Sequence, residues 1–211
     1  MKFLNSLLDG VRGNVRAVML VIARGLNKLS GGRLHPNTVT IIGLLAHLPI
    51  AWLIARQMYI PAAIGLLFFG LFDTLDGDLA RLQKRESQTG MLLDSVSDRM
   101  KEVIVYAGIS LAFVYSGHPI ASFWAVAACG ASLLVSYVNA WGEAVIARQH
   151  RDQHRVNKSF RSGLMTFDVR IAVLIVGLLS GQLIITTALI AVLSWLTAIG
   201  RLRNISKVIQ Q

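Results

Sequence analysis

One cysteine, Cys129, four prolines and a charged fraction of only 15% are what the 211-residue chain has little of. The lone cysteine excludes an internal disulfide and with it any oxidative framework. So few charges, set against 54% apolar residues, exclude a soluble domain or a disordered tail and point to a membrane protein. No internal repeat, low-complexity tract or second domain is visible. The expectation is therefore one membrane domain over residues 1–211, with a juxtamembrane segment at 1–36 and a helical bundle at 37–211. A cleaved signal is not expected, because Asn5, Ser6 and Asp9 break the apolar stretch behind Lys2.

What charge there is leans strongly one way, to a net +10. Uncharged runs at 38–55 and 119–142 are long enough to span a bilayer as helices. The run at 60–72 is 13 residues, about 20 Å of helix against an apolar core of about 30 Å, so it must borrow neighbouring turns to cross. The same holds for 103–117, and the borrowed turns carry Asp73, Asp76, Asp94 and Asp98. A final run at 171–200 is too long for one crossing, and Ser180-Gly181-Gln182 offers a turn inside it. These runs predict an all-α polytopic protein with six transmembrane helices, roughly 38–57, 59–83, 90–116, 119–147, 164–181 and 183–204. Six crossings put every Lys and Arg except Arg56 on the side of both termini, which the positive-inside rule makes cytoplasmic. The basic charge is thus explained by topology, and no nucleic-acid partner is expected. Residues 14–30 read as an amphipathic helix on the inner surface, closed by Ser30-Gly31-Gly32.

Four carboxylates at the membrane boundary need a reason. A charged Asp costs roughly 2.5–3.5 kcal/mol at the centre of a spanning helix, and four together repel one another. Asp73 and Asp76 share a helix face, as do Asp94 and Asp98, so two helix ends gather oxygen ligands that call for a cation. All-oxygen ligation open to substrate phosphate suits magnesium or manganese rather than zinc. Gly77 and Ala80 leave the first face bare enough for a ligand to approach the backbone, and Arg81 can offer a fork of donors to phosphate. Asp78 falls outside this pattern and reads as a surface or capping charge. A carboxylate-lined cation transporter or channel is the rival reading, but the outer helix halves are Leu, Ile, Val and Phe.

The spacing D73-x-x-D76-G77-x-x-A80-R81, eight residues, G90-x-x-x-D94-x-x-x-D98 resembles the signature of the CDP-alcohol phosphotransferase family of membrane phospholipid synthases. Six helices and an N-terminal surface helix agree with that family's architecture. The resemblance implies transfer of a substituted phosphoryl group from a CDP-alcohol, usually CDP-diacylglycerol, to an acceptor hydroxyl, with release of CMP. It implies two divalent ions on Asp73, Asp76, Asp94 and Asp98, with Asp98 also the general base. Nucleotide contacts are implied for Pro36, Asn37, Thr38, Asp76, Gly77, Ala80, Arg81 and Gly90. It further implies a homodimer in a bacterial or archaeal cytoplasmic membrane, among membrane lipids, with the active site on the cytoplasmic side.

The resemblance implies a small polar acceptor that offers a hydroxyl. Where inositol-phosphate-using members resemble S-Y-x-K-A-R-A-E-A, this chain has Asn139 and Trp141 at the basic positions. Ser95-Val96-Ser97 between the last two carboxylates departs from the glycerophosphate-using pattern as well. An inositol-type polyol is the expectation, with glycerol phosphate, serine or another lipid headgroup as the alternatives within the family. Lys158 and Arg161, in the basic stretch between the fourth and fifth predicted helices, are candidate acceptor contacts, as is Arg170, which the shortage of apolar residues draws toward membrane depth.

Overall fold

A computed structural model describes residues 17–148 and 164–210. The described residues are helical, without strands. Helix α1 covers the described residues 17–29. It is followed by α2 (Pro36–Ala55), α3 (Tyr59–Gln83), α4 (Gln88–Tyr115), a single 3-10 turn (Pro119–Ala121), α5 (Ser122–Arg148), α6 (Phe167–Ser180) and α7 (Leu183–Gln210). Among these, α2, α3, the stretch Pro119–Val145 and residues Leu183–Lys207 of α7 are long and apolar enough to cross a membrane. Two of the six predicted spans do not meet that standard. The first half of α4 carries Asp94, Asp98, Arg99 and Lys101, with Glu102 next to them, and α6 is 14 residues, about 21 Å.

Turn chemistry explains where helices stop. Gly181 takes φ 69° beyond α6, and the Gln182 N–H donates to the Gly177 carbonyl at 3.0 Å, so the long uncharged run divides at the expected turn. Gln57 and Lys84 also adopt positive φ as α2 and α3 end. Helix α4 begins two residues before its predicted start because Ser87 caps it. The Ser87 Oγ accepts from the Gly90 N–H at 3.0 Å, satisfying a donor in the first turn.

Two compact units divide the chain, with boundaries inside α2, α3 and α4. The first holds the described part of residues 1–49 together with 65–101. In it Ala23 of α1, Val39 of α2 and Leu75 and Leu79 of α3 form a buried cluster bordered by Leu26 and Leu34. Helix α1 therefore packs one apolar stripe on its neighbours, while Val18, Val21, Ile22 and Leu29 stay exposed. The Gln83 side-chain amide ties the end of α3 to Asn27 Oδ1 and to the Leu34 carbonyl, both at 2.9 Å.

The second unit holds residues 50–64 and the described part of 102–211. Its centre is the packing of α5 on α7, where small residues permit close approach: Ala125, Ala128, Ala131 and Ser132 face inward from α5, and Ala191, Ser194 and Ala198 from α7. Helix α6 lies on α7, with the Met165 N–H donating to Thr197 Oγ1 at 3.1 Å. Gly108 of α4 meets the backbone of α2 so closely that a Cβ there would stand 2.5 Å from the Ala51 carbonyl oxygen.

Candidate active site

Three helix ends in the first unit build one cavity of about 200 Å³. Helix α2 contributes Pro36, Asn37 and Thr40; α3 contributes Asp76, Gly77, Ala80 and Arg81; and the start of α4 contributes Gly90, Met91 and Asp94. Arg85, Glu86 and Ser87 of the connection between α3 and α4 complete the lining. Six of the eight motif residues thus share one cavity, although Gly90 and Asp94 lie on a different helix from the rest.

Asp76 is held by two hydrogen bonds. Its carboxylate is 5% exposed, with Oδ2 accepting from Thr40 Oγ1 at 2.6 Å and Oδ1 accepting from the Gly77 N–H at 2.6 Å. Pro36 lies one turn before Thr40, and the Thr40 hydroxyl is also 3.4 Å from the Pro36 carbonyl. The sequence reading put Thr38 in the site. Thr38 is instead exposed and outside the lining, whereas Thr40, two residues on, reaches the carboxylate. Helical phase is the reason: Thr40 follows Pro36 by four residues and shares its face.

Gly90 allows α2 to meet α4. A Cβ at Gly90 would stand 3.0 Å from Ser87 Oγ and 3.4 Å from Asn37 Oδ1, tighter than ordinary contact. The turn that ends α3 fixes the other side of the cavity. Lys84 donates its N–H to the Arg81 carbonyl at 3.2 Å, and Arg85 to that of Ala80 at 2.9 Å. Asp78 is a correction: buried to 3% exposure, it pairs through Oδ1 with Arg81 Nη2 at 2.7 Å and is neither a cap nor a surface charge.

Asp98 stands apart from the cavity lining. Its Oδ1 is 3.3 Å from Lys101 Nζ and its Oδ2 3.7 Å from Arg99 Nη2. The Lys101 side chain is 4% exposed, a buried cation that the sequence reading did not single out. Asp73 lies on α3, with its side chain outside the described residues. Among the described residues no three His, Cys, Asp or Glu side chains stand close enough to hold an ion by themselves. The donor chemistry still fits a hard divalent cation, because Asp76 and Asp94 bring carboxylate oxygens to the same cavity and its lining holds no cysteine or histidine.

In the second unit Arg170 is drawn inward, and a partner waits there. Its Nη2 and Nε donate to Glu102 Oε1 at 2.7 and 3.2 Å, and Nη1 donates to the Met165 carbonyl at 3.1 Å. The Phe167 ring lies 5.9 Å from the guanidinium carbon. This guanidinium is committed to a buried carboxylate rather than open to a cavity. Lys158 and Arg161 lie outside the described residues. Asn139 is half-buried with its Oδ1 enclosed, and Trp141 is exposed.

Known proteins resemble the chain in the same terms. A family model described as CDP-alcohol phosphatidyltransferase matches residues 33–202. A phosphatidylinositol phosphate synthase of Cutibacterium acnes is 31% identical over 145 residues, covering 66% of this chain and 67% of that one. An archaetidylinositol phosphate synthase of Pyrococcus horikoshii is 28% identical over 201 residues, 95% of this chain and 97% of that one. The crystal structure of Mycobacterium tuberculosis phosphatidylinositol phosphate synthase with CDP-DAG bound superposes with a TM-score of 0.75 at 25% identity, over 90% of this chain and 94% of that one. The same enzyme in complex with manganese and citrate gives 0.74 at 26% identity, over 89% and 88%.

Proposed function

Because the chain belongs to the CDP-alcohol phosphatidyltransferase family, and is thereby a membrane transferase of substituted phosphate groups, we propose that its donor is CDP-diacylglycerol or a closely similar CDP-linked lipid and its acceptor an inositol-type polyol. The observation that carries this reading is that one cavity is lined together by Asp76, Gly77, Ala80, Arg81, Gly90 and Asp94. The acceptor class rests on relatives that are phosphatidylinositol phosphate and archaetidylinositol phosphate synthases.

Asp73, Asp76, Asp94 and Asp98 would hold two divalent ions, magnesium or manganese. Such ions, when bound, neutralise charge on the pyrophosphate as it develops. The chain's own residues do the rest. Thr40 and the Gly77 N–H fix the Asp76 carboxylate in one orientation, as supporting partners of a metal ligand do. The bare backbone at Gly77 and Ala80 admits the nucleotide, and Arg81 donates to phosphate oxygens. Asp98 takes the proton of the acceptor hydroxyl. A new P–O bond forms to the lipid-bearing phosphorus, the anhydride bond to the other phosphate breaks, and CMP leaves with the electron pair.

Lys158 and Arg161 are proposed contacts of the acceptor, and Arg170, held by Glu102, braces the second unit. Six crossings, an N-terminal helix with its exposed apolar stripe in the inner leaflet, cytoplasmic termini and active site, and a homodimer belong to the same proposal. An acceptor screen of purified protein with CDP-diacylglycerol and manganese tests it. Inositol and inositol phosphate are expected to raise CMP release well above glycerol phosphate and serine. A preference for either of the latter would overturn the acceptor assignment.

A further inference from the structure

Arg81 is rooted on α3 between two faces. Each residue advances about 100° around a helix, so relative to Asp76 the root of Ala80 lies at about 40°, Arg81 at about 140° and Asp78 at about 200°. A side chain at Arg81 can therefore turn to the cavity or away from it, and something must choose.

Two observations say what chooses. The Asp78 carboxylate is 4% exposed and holds Arg81 Nη2 at 2.7 Å, whereas the arginine itself is 50% exposed and lines the cavity. That same Nη2 lies 3.6 Å from where a Cβ on Gly77 would stand, so the guanidinium is folded back across the bare backbone of the motif glycine. Among the described residues Arg81 makes this one hydrogen bond, and the remaining donors of its fork are open. An exposed ion pair with this i,i+3 spacing would count for little, because solvent screens it. Here one partner is buried. A carboxylate out of water is costly to leave unpaired, so Asp78 keeps hold of the arginine before any ligand arrives. Asp78 Oδ2 is buried with no hydrogen-bond partner, which leaves the arginine as the one group satisfying this carboxylate among the described residues.

We propose that Asp78 is a positioning residue for the CDP-linked donor: it clamps one nitrogen of Arg81 against Gly77 so that the rest of the guanidinium meets the donor phosphates already ordered. Asp78 lies outside the spacing D-x-x-D-G-x-x-A-R, so the clamp is a feature of this chain rather than of the motif. The inference rests on the reading of Arg81 as a donor contact. Ordering one long side chain in advance is worth about 2- to 13-fold in affinity.

The test is a double-mutant cycle on the full-length protein in detergent, following CMP release against CDP-diacylglycerol at saturating manganese. Asp78→Ala is expected to raise the donor KM about 2- to 13-fold with the acceptor KM unchanged. Asp78→Asn, which keeps the shape and an acceptor oxygen, is expected to fall between wild type and Asp78→Ala, and it carries the test if the alanine variant does not fold. In an Arg81→Ala background either substitution is expected to add nothing to the donor KM. Equal and additive effects in the two backgrounds would overturn the clamp. So would an Asp78→Asn variant that melts earlier but keeps the wild-type donor KM. Absence of CMP release by the wild-type enzyme would instead strike the donor reading itself and take this inference down with it.

Discussion

Replacing Thr40 with valine removes one hydroxyl and almost no volume, yet that hydroxyl is the 2.6 Å donor to Asp76 Oδ2 inside the cavity. Two consequences follow. Without ions, the buried carboxylate oxygen loses its partner, at about 1–3 kcal/mol of stability. With ions, Asp76 is free to rotate, and groups that orient a metal ligand are typically worth about 10- to 100-fold in metal affinity. The assay is CMP release from CDP-diacylglycerol across a manganese titration, in detergent, with purified wild type, Thr40→Val and Thr40→Ser. The half-saturating manganese concentration is expected to rise about 10- to 100-fold in Thr40→Val and to stay near wild type in Thr40→Ser, which keeps the hydroxyl. A Thr40→Val curve that overlays wild type would refute the reasoning, because it would mean that Asp76 either holds no ion or needs no help to hold one.

Asp98→Asn is expected to lower kcat by about 10²–10⁴ while the donor KM stays near wild type, as measured by steady-state CMP release. Gly108→Ala forces a Cβ to within 2.5 Å of the Ala51 carbonyl, so a loss of about 1–3 kcal/mol is expected in thermal unfolding, whereas Gly130→Ala, with open space around it, should be neutral or slightly stabilising. Arg170→Ala takes the guanidinium away from buried Glu102 Oε1, and a loss of about 3–5 kcal/mol is expected; adding Glu102→Ala should restore part of it, a recovery that thermal unfolding of the single and double variants would reveal.

Local spacing made much of the site legible. The turn at Ser180-Gly181-Gln182 and the gathering of Asp76, Gly77, Ala80 and Arg81 on α3 follow from patterns within a few turns of one another, whereas the approach of Pro36 and Asn37 was implied by the family resemblance alone. Asp78 was legible in principle as well, since an acid three residues before an arginine on a helix announces a pair; its burial was not, because that depends on what packs over α3. Lys101 stands in the same relation to Asp98. Thr40 with Asp76, 36 residues apart, and Glu102 with Arg170, 68 apart, are tertiary contacts that no local period encodes. The membrane count suffers for a related reason. Charges in the first half of α4 and the shortness of α6 leave both helices short of the length and apolarity of a spanning segment, so the described residues show four candidate spans where six were expected.

CMP release by the purified wild-type protein, given CDP-diacylglycerol, an inositol-type acceptor and manganese, with and without excess chelator, tests the central claim most directly. The expected result is turnover that stops when the cation is removed and returns when magnesium or manganese is restored. Full turnover in excess chelator, or CDP-diacylglycerol left intact with every acceptor offered, would contradict it.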